Sequence, residues 1–190
     1  MYNPFIIGKK IYLRAPADGD EYIYALSENN PDARQFLYYA LPTTLSQQKE
    51  KIISLVNDPN SVLFTICTKE TDKPIGNTAF VRIDWVGRMA TFYIAIAEKE
   101  NWSQGYGSET TRMMVDYAFD TLNLNRIQLH VSTENQPALN TYRKIGFKEE
   151  GTLRQAMYFN GHYIDFYLMA ILKDDYYTNK KLKNRMGDMD

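Results

Sequence analysis

The stretch NWSQGYGS, Asn101 to Ser108, places two glycines one residue apart between segments of different periodicity. Before it, ATFYIAIA is rich in β-formers. After it, the chain has the spacing of a helix from about Ser108 to Leu122. A strand that passes through a bare loop straight into a helix calls for a crossover to a parallel neighbour. RIQLHVST, Arg126 to Thr133, supplies that neighbour.

The flanking segments read as antiparallel companions. GKKIYLRAP (Gly8 to Pro16) is a first strand. SVLFTICT, PIGNTAFVRIDW and RMATFYIAIA form a meander with turns at Thr71 to Pro74 and Asp84 to Arg88. FKEEGTLRQAMYF and HYIDFYLMAIL close the chain as a hairpin joined by Asn160-Gly161. Asp18 reads as the cap of a helix ending near Ser27, and Ser46 as the cap of LSQQKEKIISLVND. NNPDARQFLYY between them has no clear period. ENQPALNTYRKIG is a short helix with Pro137 in its first turn and Gly146 as its stop. The expected architecture is α/β: a mixed sheet of about seven strands, mostly antiparallel with one parallel pair, and helices on both faces. One domain is expected over residues 1–177, followed by a polar tail over 178–190.

The glycine loop sits where a helix exposes free N–H groups and a positive partial charge. Phosphate uses both, and Gly105 and Gly107 let the backbone approach it. A tight turn with no ligand is the alternative. A Walker loop, G-x-x-x-x-G-K-[ST], is absent. A dinucleotide fingerprint needs a third glycine where Thr110 stands, and an acid near Ile127 and Gln128.

Charge narrows the partners. Lys and Arg number 22 against 23 Asp and Glu, so the net charge is −1 and no global field favours nucleic acid or an anionic membrane. KKLKNR, Lys180 to Arg185, reads as a solvated end. No apolar run reaches the roughly 18 residues of a membrane span. Cys67, the one cysteine, reads as a core residue, and its solitude points to the cytosol. No His, Cys and Asp spacing suits a metal. The aromatic fraction of 14% gives ample pocket walls.

His130 to Arg154 carries Asn135, Tyr142, Lys144 and Gly146-Phe147 in one short frame. With the W-x-x-G-x-G of Trp102 to Gly107, this resembles the GNAT acetyltransferase superfamily. The similarity is to the branch of ribosomal-protein N-terminal acetyltransferases and spermidine acetyltransferases. It runs from about Gly8 to Tyr177 and implies the GNAT fold and acetyl-CoA as cosubstrate. It implies that Ile94, Ala95 and Ile96 offer backbone groups to the pantetheine arm at a strand bulge. Trp102, Ser103, Gln104, Gly105, Tyr106, Gly107 and Ser108 would wrap the diphosphate. Asn135 would bond the pantetheine region, and Asn140 and Lys144 would lie along the coenzyme. Tyr142 matches the family's general acid. An ordinary thiol has a pKa near 8.5 and tyrosine near 10, so full proton transfer is uphill by roughly 2 kcal/mol and a hydrogen bond is the alternative.

The chain departs from the family where Thr91 replaces an expected carboxylate. The general base is thereby left open among Glu98, His130, Asp165 and a water chain. Thr91, Trp85, Tyr158 and Asp165 are candidates for the acceptor side. The expected activity is transfer of acetyl from acetyl-CoA to a primary amine (a protein N-terminus, a polyamine or another small amine) in one ternary complex. A non-catalytic acyl-CoA-binding module is the rival. A homodimer follows from the resemblance.

Overall fold

The computed structural model describes the backbone of residues 1–187 and the side chains of residues 1–180. One sheet contains β1 (Ile6–Ile7), β2 (Ile11–Arg14), β3 (Val62–Thr68), β4 (Pro74–Asp84), β5 (Met89–Ile96), β6 (Arg126–Ser132), β7 (Lys148–Phe159) and β8 (His162–Leu172). Its order is β1-β2-β3-β4-β5-β6-β8-β7. Neighbours are antiparallel except β5 and β6, which are parallel. The seven expected strands are thus joined by an eighth, whose two residues carry too little pattern to be read.

Helices α1 (Glu21–Asn29), α2 (Pro31–Arg34), α3 (Leu45–Asn57), α4 (Tyr106–Asp120), α5 (Gln136–Ile145) and α6 (Lys173–Gly187) cover both faces. Ile23 and Tyr24 of α1 pack on Leu63, Ala79 and Ala97. On the opposite face Met114, Leu139, Tyr142 and Tyr176, from α4, α5 and α6, pack on Ala90, Phe92, Ile127 and Leu129. Apolar side chains alternating along β5 and β6 generate this division. Cys67 lies in the buried core as expected.

Several boundaries differ from the sequence reading. Asp20, not Asp18, precedes α1, because the chain first turns at Gly19 with φ of 98°. Thr44, not Ser46, caps α3: its side chain accepts from Gln47 N–H while the Gln47 side chain returns to the Thr44 N–H. α4 begins at Tyr106, directly on the glycine loop. The unassigned stretch after α1 contains the single turn of α2, capped by the Asn30 side chain. The tail expected over 178–190 overlaps α6. Its last residues, 188–190, and the side chains of 181–187 lie outside the described residues.

Candidate active site

The parallel pairing of β5 with β6 covers Met89↔Arg126, Ala90↔Ile127 and Thr91↔Gln128, and then stops. Beyond Thr91, β5 stays paired with β4 as far as Gly76↔Ile96, while β6 stays paired with β8 as far as Ser132↔Phe166. The sheet therefore forks after Thr91. The phase of the ladder says which groups face the gap. Ala97 N–H bonds Ile75 on β4, and the Arg88 carbonyl accepts from Arg126 on the β6 side. Because directions alternate along a strand, Phe92, Ile94 and Ile96 turn their N–H and C=O groups toward the gap, and Ala95 turns its own toward β4. The strand bulge expected at Ile94 to Ile96 is absent there, since this part of the β4–β5 register is regular. The bulge lies instead on β4, between Val81 and Asp84.

Tyr142 stands behind the fork. Its ring meets Phe92 edge-on at 6.5 Å and tilts against Phe147 at 5.6 Å. It is 9% exposed. Its hydroxyl has no hydrogen-bond partner among the described residues, so it is available to a ligand. Burial pushes its pKa well above that of free tyrosine, which keeps the hydroxyl protonated as a donor.

The glycine loop caps the mouth of the fork. Trp102 donates its indole N–H to the Ile96 carbonyl at 3.0 Å, fastening loop to strand. Ser103 and Gly105 are left-handed, with φ of 59° and 86°. The N–H groups of Ser103, Gly105, Tyr106, Gly107 and Ser108 find no acceptor among the described residues. The two glycines serve different ends. Gly105 is required by its φ. Gly107 is not: a Cβ there would sit 3.7 Å from Ile96 Cδ1, an ordinary contact. The fold leaves open the space that a side chain would fill, as a diphosphate cradle requires. We expect Gly107→Ala to leave the melting temperature nearly unchanged and to weaken acetyl-CoA binding about 10-fold, by obstructing close backbone approach. Calorimetry and titration check the two halves.

The remaining candidates are placed as follows. Asn135 caps α5, its Oδ1 accepting from Ala138 N–H at 3.2 Å; its amide NH2 makes no bond among the described residues. Asn140 and Lys144 lie exposed on α5. Thr91 is buried and accepts a long 3.5 Å bond from Gln128 at the crotch of the fork. Asp165 accepts the Gln155 N–H at 2.7 Å, pinning an irregularity in β7. Trp85 is not brought to the fork: it sits in the turn before β5, at the end away from the glycine loop, and bonds the Pro59 carbonyl. Tyr158 is exposed near the tip of the β7–β8 hairpin, against Tyr163.

Of the candidate bases, His130 on β6 shares the sheet face of Gln128 and of Thr91, its partner on β5. Burial, and then the charge of Arg82, lower its pKa, so the imidazole is neutral at pH 7. Glu98 is exposed in the segment between β5 and the loop. Lys10 was missed: its ammonium bonds the Gln104 carbonyl at 2.9 Å across 94 residues of sequence, a separation no local pattern signals. Among the described residues no cluster of His, Cys, Asp or Glu could hold a metal ion, and no helix is long and apolar enough to cross a membrane.

Residues 10–148 match the model of the acetyltransferase (GNAT) domain. The spermidine N(1)-acetyltransferase of Vibrio cholerae is 30% identical over 171 residues, covering 90% of this chain and 97% of that protein. An uncharacterised N-acetyltransferase, p20, of Bacillus licheniformis is 32% identical over 152 residues, covering 78% and 84%. The crystal structure of the Vibrio cholerae spermidine N-acetyltransferase with CoA and spermine superposes with a TM-score of 0.82 at 28% identity, over 89% of this chain and 99% of that one. Fork, bare loop and family match agree: this chain belongs to the GNAT family and is an acetyl-CoA-dependent N-acetyltransferase.

Proposed function

We propose that acetyl is transferred directly to an amine at the β5–β6 fork, with Tyr142 on one face and the acceptor entering from the other. The observation that carries this reading is the end of strand pairing at Thr91↔Gln128 with the Tyr142 ring packed immediately behind it on Phe92. Acetyl-CoA supplies an activated acetyl group on a thiolate leaving group. The gap-facing N–H groups of Ile94 and Ile96 orient the coenzyme arm and donate to developing oxygen charge. The loop 102–108 receives the diphosphate on the start of α4. The Asn135 amide and α5, with Asn140 and Lys144, border the coenzyme. The Tyr142 hydroxyl donates a hydrogen bond to the departing sulfur. Helices α4 and α5 close the Tyr142 face, so the amine comes from the Thr91 face. There His130, held neutral, can accept the proton that Thr91 cannot.

The acceptor is a primary amine. Similarity to spermidine acetyltransferases supports a polyamine. A second reading, a singly charged amine, is favoured by the neutralisation of Glu28, a carboxylate of α1, by Lys51 at 2.6 Å. The single buried thiol suits the cytosol. Residues 1–177 act as one catalytic domain, and the exposed β7 edge offers a surface for a homodimer. A monomer mass in light scattering contradicts the dimer.

The test is thiol release from acetyl-CoA against spermidine, amino-acid amides, amino sugars and short peptides with free N-termini. Release driven by one amine class supports transfer and identifies the acceptor. Coenzyme binding without release for every amine supports a binding module instead.

A further inference from the structure

The turn between β1 and β2 is fastened to the coenzyme loop. The N–H groups of Lys9 and Lys10 both donate to the Glu109 carboxylate in α4, Lys10 at 3.0 Å. A Cβ on Gly8 would crowd the Glu109 carboxylate that makes this clamp, and would come within 3.0 Å of the Ile11 carbonyl. Lys69 braces the same turn, its N–H donating to the Lys10 carbonyl at 2.8 Å and its ammonium to the Gly8 carbonyl at 3.1 Å. From this clamped base the Lys10 ammonium reaches the Gln104 carbonyl at 2.9 Å. It passes 3.9 Å from the point a Cβ on Gly105 would occupy.

That contact has a geometric consequence. In a trans peptide the carbonyl and the following N–H point to opposite sides. An ammonium holding the Gln104 carbonyl outward therefore turns the Gly105 N–H inward, toward its unpaired neighbours in the loop. Left-handed backbone at Ser103, a residue that carries a side chain, beside N–H groups that lack acceptors, is not a conformation a free loop holds unaided.

We propose that Lys10 is a positioning residue for acetyl-CoA: through the Gln104 carbonyl it holds the loop in its diphosphate-receiving shape before the coenzyme arrives. The proposal rests on the reading that loop 102–108 receives the diphosphate. Binding energy otherwise spent on ordering the loop then appears as affinity.

The experiment is acetyl-CoA binding and steady-state kinetics for wild type, Lys10→Met, Lys10→Arg and Gly107→Ala, with CoA and dephospho-CoA as probes, in low and in roughly 0.5 M salt. Lys10→Met is expected to raise the dissociation constant about 10-fold, with kcat at saturation unchanged. Lys10→Arg, which keeps a donor to the carbonyl, should recover most of the loss. The loss should be equal for CoA and dephospho-CoA and should persist in high salt. A change within twofold overturns the proposal. So does a loss confined to CoA or abolished by salt, which would mean a direct charge contact with the 3′-phosphate. A lowered melting temperature with unchanged affinity overturns it as well. If Gly107→Ala weakens binding and Lys10→Met does not, only this inference fails; if neither does, the loop reading fails with it.

Discussion

Tyr142→Phe is expected to lower kcat by about 100-fold and to leave acetyl-CoA affinity within about twofold. The substitution keeps the ring that packs on Phe92 and Phe147 and removes only a hydroxyl that has no partner in the described protein. The fold therefore loses no hydrogen bond, and the melting temperature stays put. On the proposed reading, what is lost is a hydrogen-bond donor to the sulfur as negative charge develops on it. Burial raises the Tyr142 pKa, so the hydroxyl is neutral through the working pH range. Ionisation of Tyr142 then contributes no alkaline limb to the rate profile below pH 10. The same raised pKa makes a folding contribution that is complete below the unfolded tyrosine value near 10 and is lost as pH rises through the folded value. Steady-state kinetics with varied acetyl-CoA separates the cases. A rise in KM at constant kcat would assign the hydroxyl to ground-state binding.

Asp20→Ala is expected to destabilise the protein by about 3–5 kcal/mol, because it strands a buried guanidinium. Asp20 and Arg14 are 3% and 6% exposed and form a two-point pair at 2.6 and 2.8 Å. Thr65 Oγ1 at 2.7 Å and the Ala17 N–H at 2.9 Å complete the carboxylate's bonds. Tyr24 of α1 extends the network by a 2.9 Å bond to Thr65. The network ties α1 to β2 and β3. Burial alone would raise the Asp20 pKa, but its bonds to Arg14, Thr65 and Ala17 outweigh it and bring the value below the usual one. The stability it supplies is therefore present above the unfolded carboxylate pKa of about 3.9 and lost as pH falls through the folded value. Denaturant unfolding of Asp20→Ala, Arg14→Met and the double variant checks this. The double variant should recover much of the loss, since it removes both charges together.

Much of the fold could be read wherever local chemistry dictates local shape. Asn160-Gly161 makes the hairpin turn with φ of 47° and 87°, and Gly146 stops α5 with φ of 121°. Pro137 fits the first turn of α5, where its missing N–H has no cost. Caps were harder, because neighbouring residues compete for them. Ser46 looked suitable, yet Thr44 has the glutamine three residues on that closes the box. The bulge was expected on β5 and lies on β4, because an interruption is a property of two strands in register and cannot be read from one. The same limit governs the site. Tyr142, Phe92 and the loop are close because α5 follows β6 and folds back over β5. Trp85 and Tyr158 have suitable chemistry, but topology puts them at the turn before β5 and near a hairpin tip. Lys10 lies far along the chain from Gln104, and tertiary contacts such as the clamp through Glu109 bring them together.

A crystal structure with bound CoA decides whether the fork is the reaction site. The expected result is the diphosphate on the N–H groups of loop 102–108, the pantetheine arm in the gap between β5 and β6, and the sulfur within hydrogen-bonding reach of the Tyr142 hydroxyl. A coenzyme seated elsewhere, or a sulfur directed away from Tyr142, would contradict it.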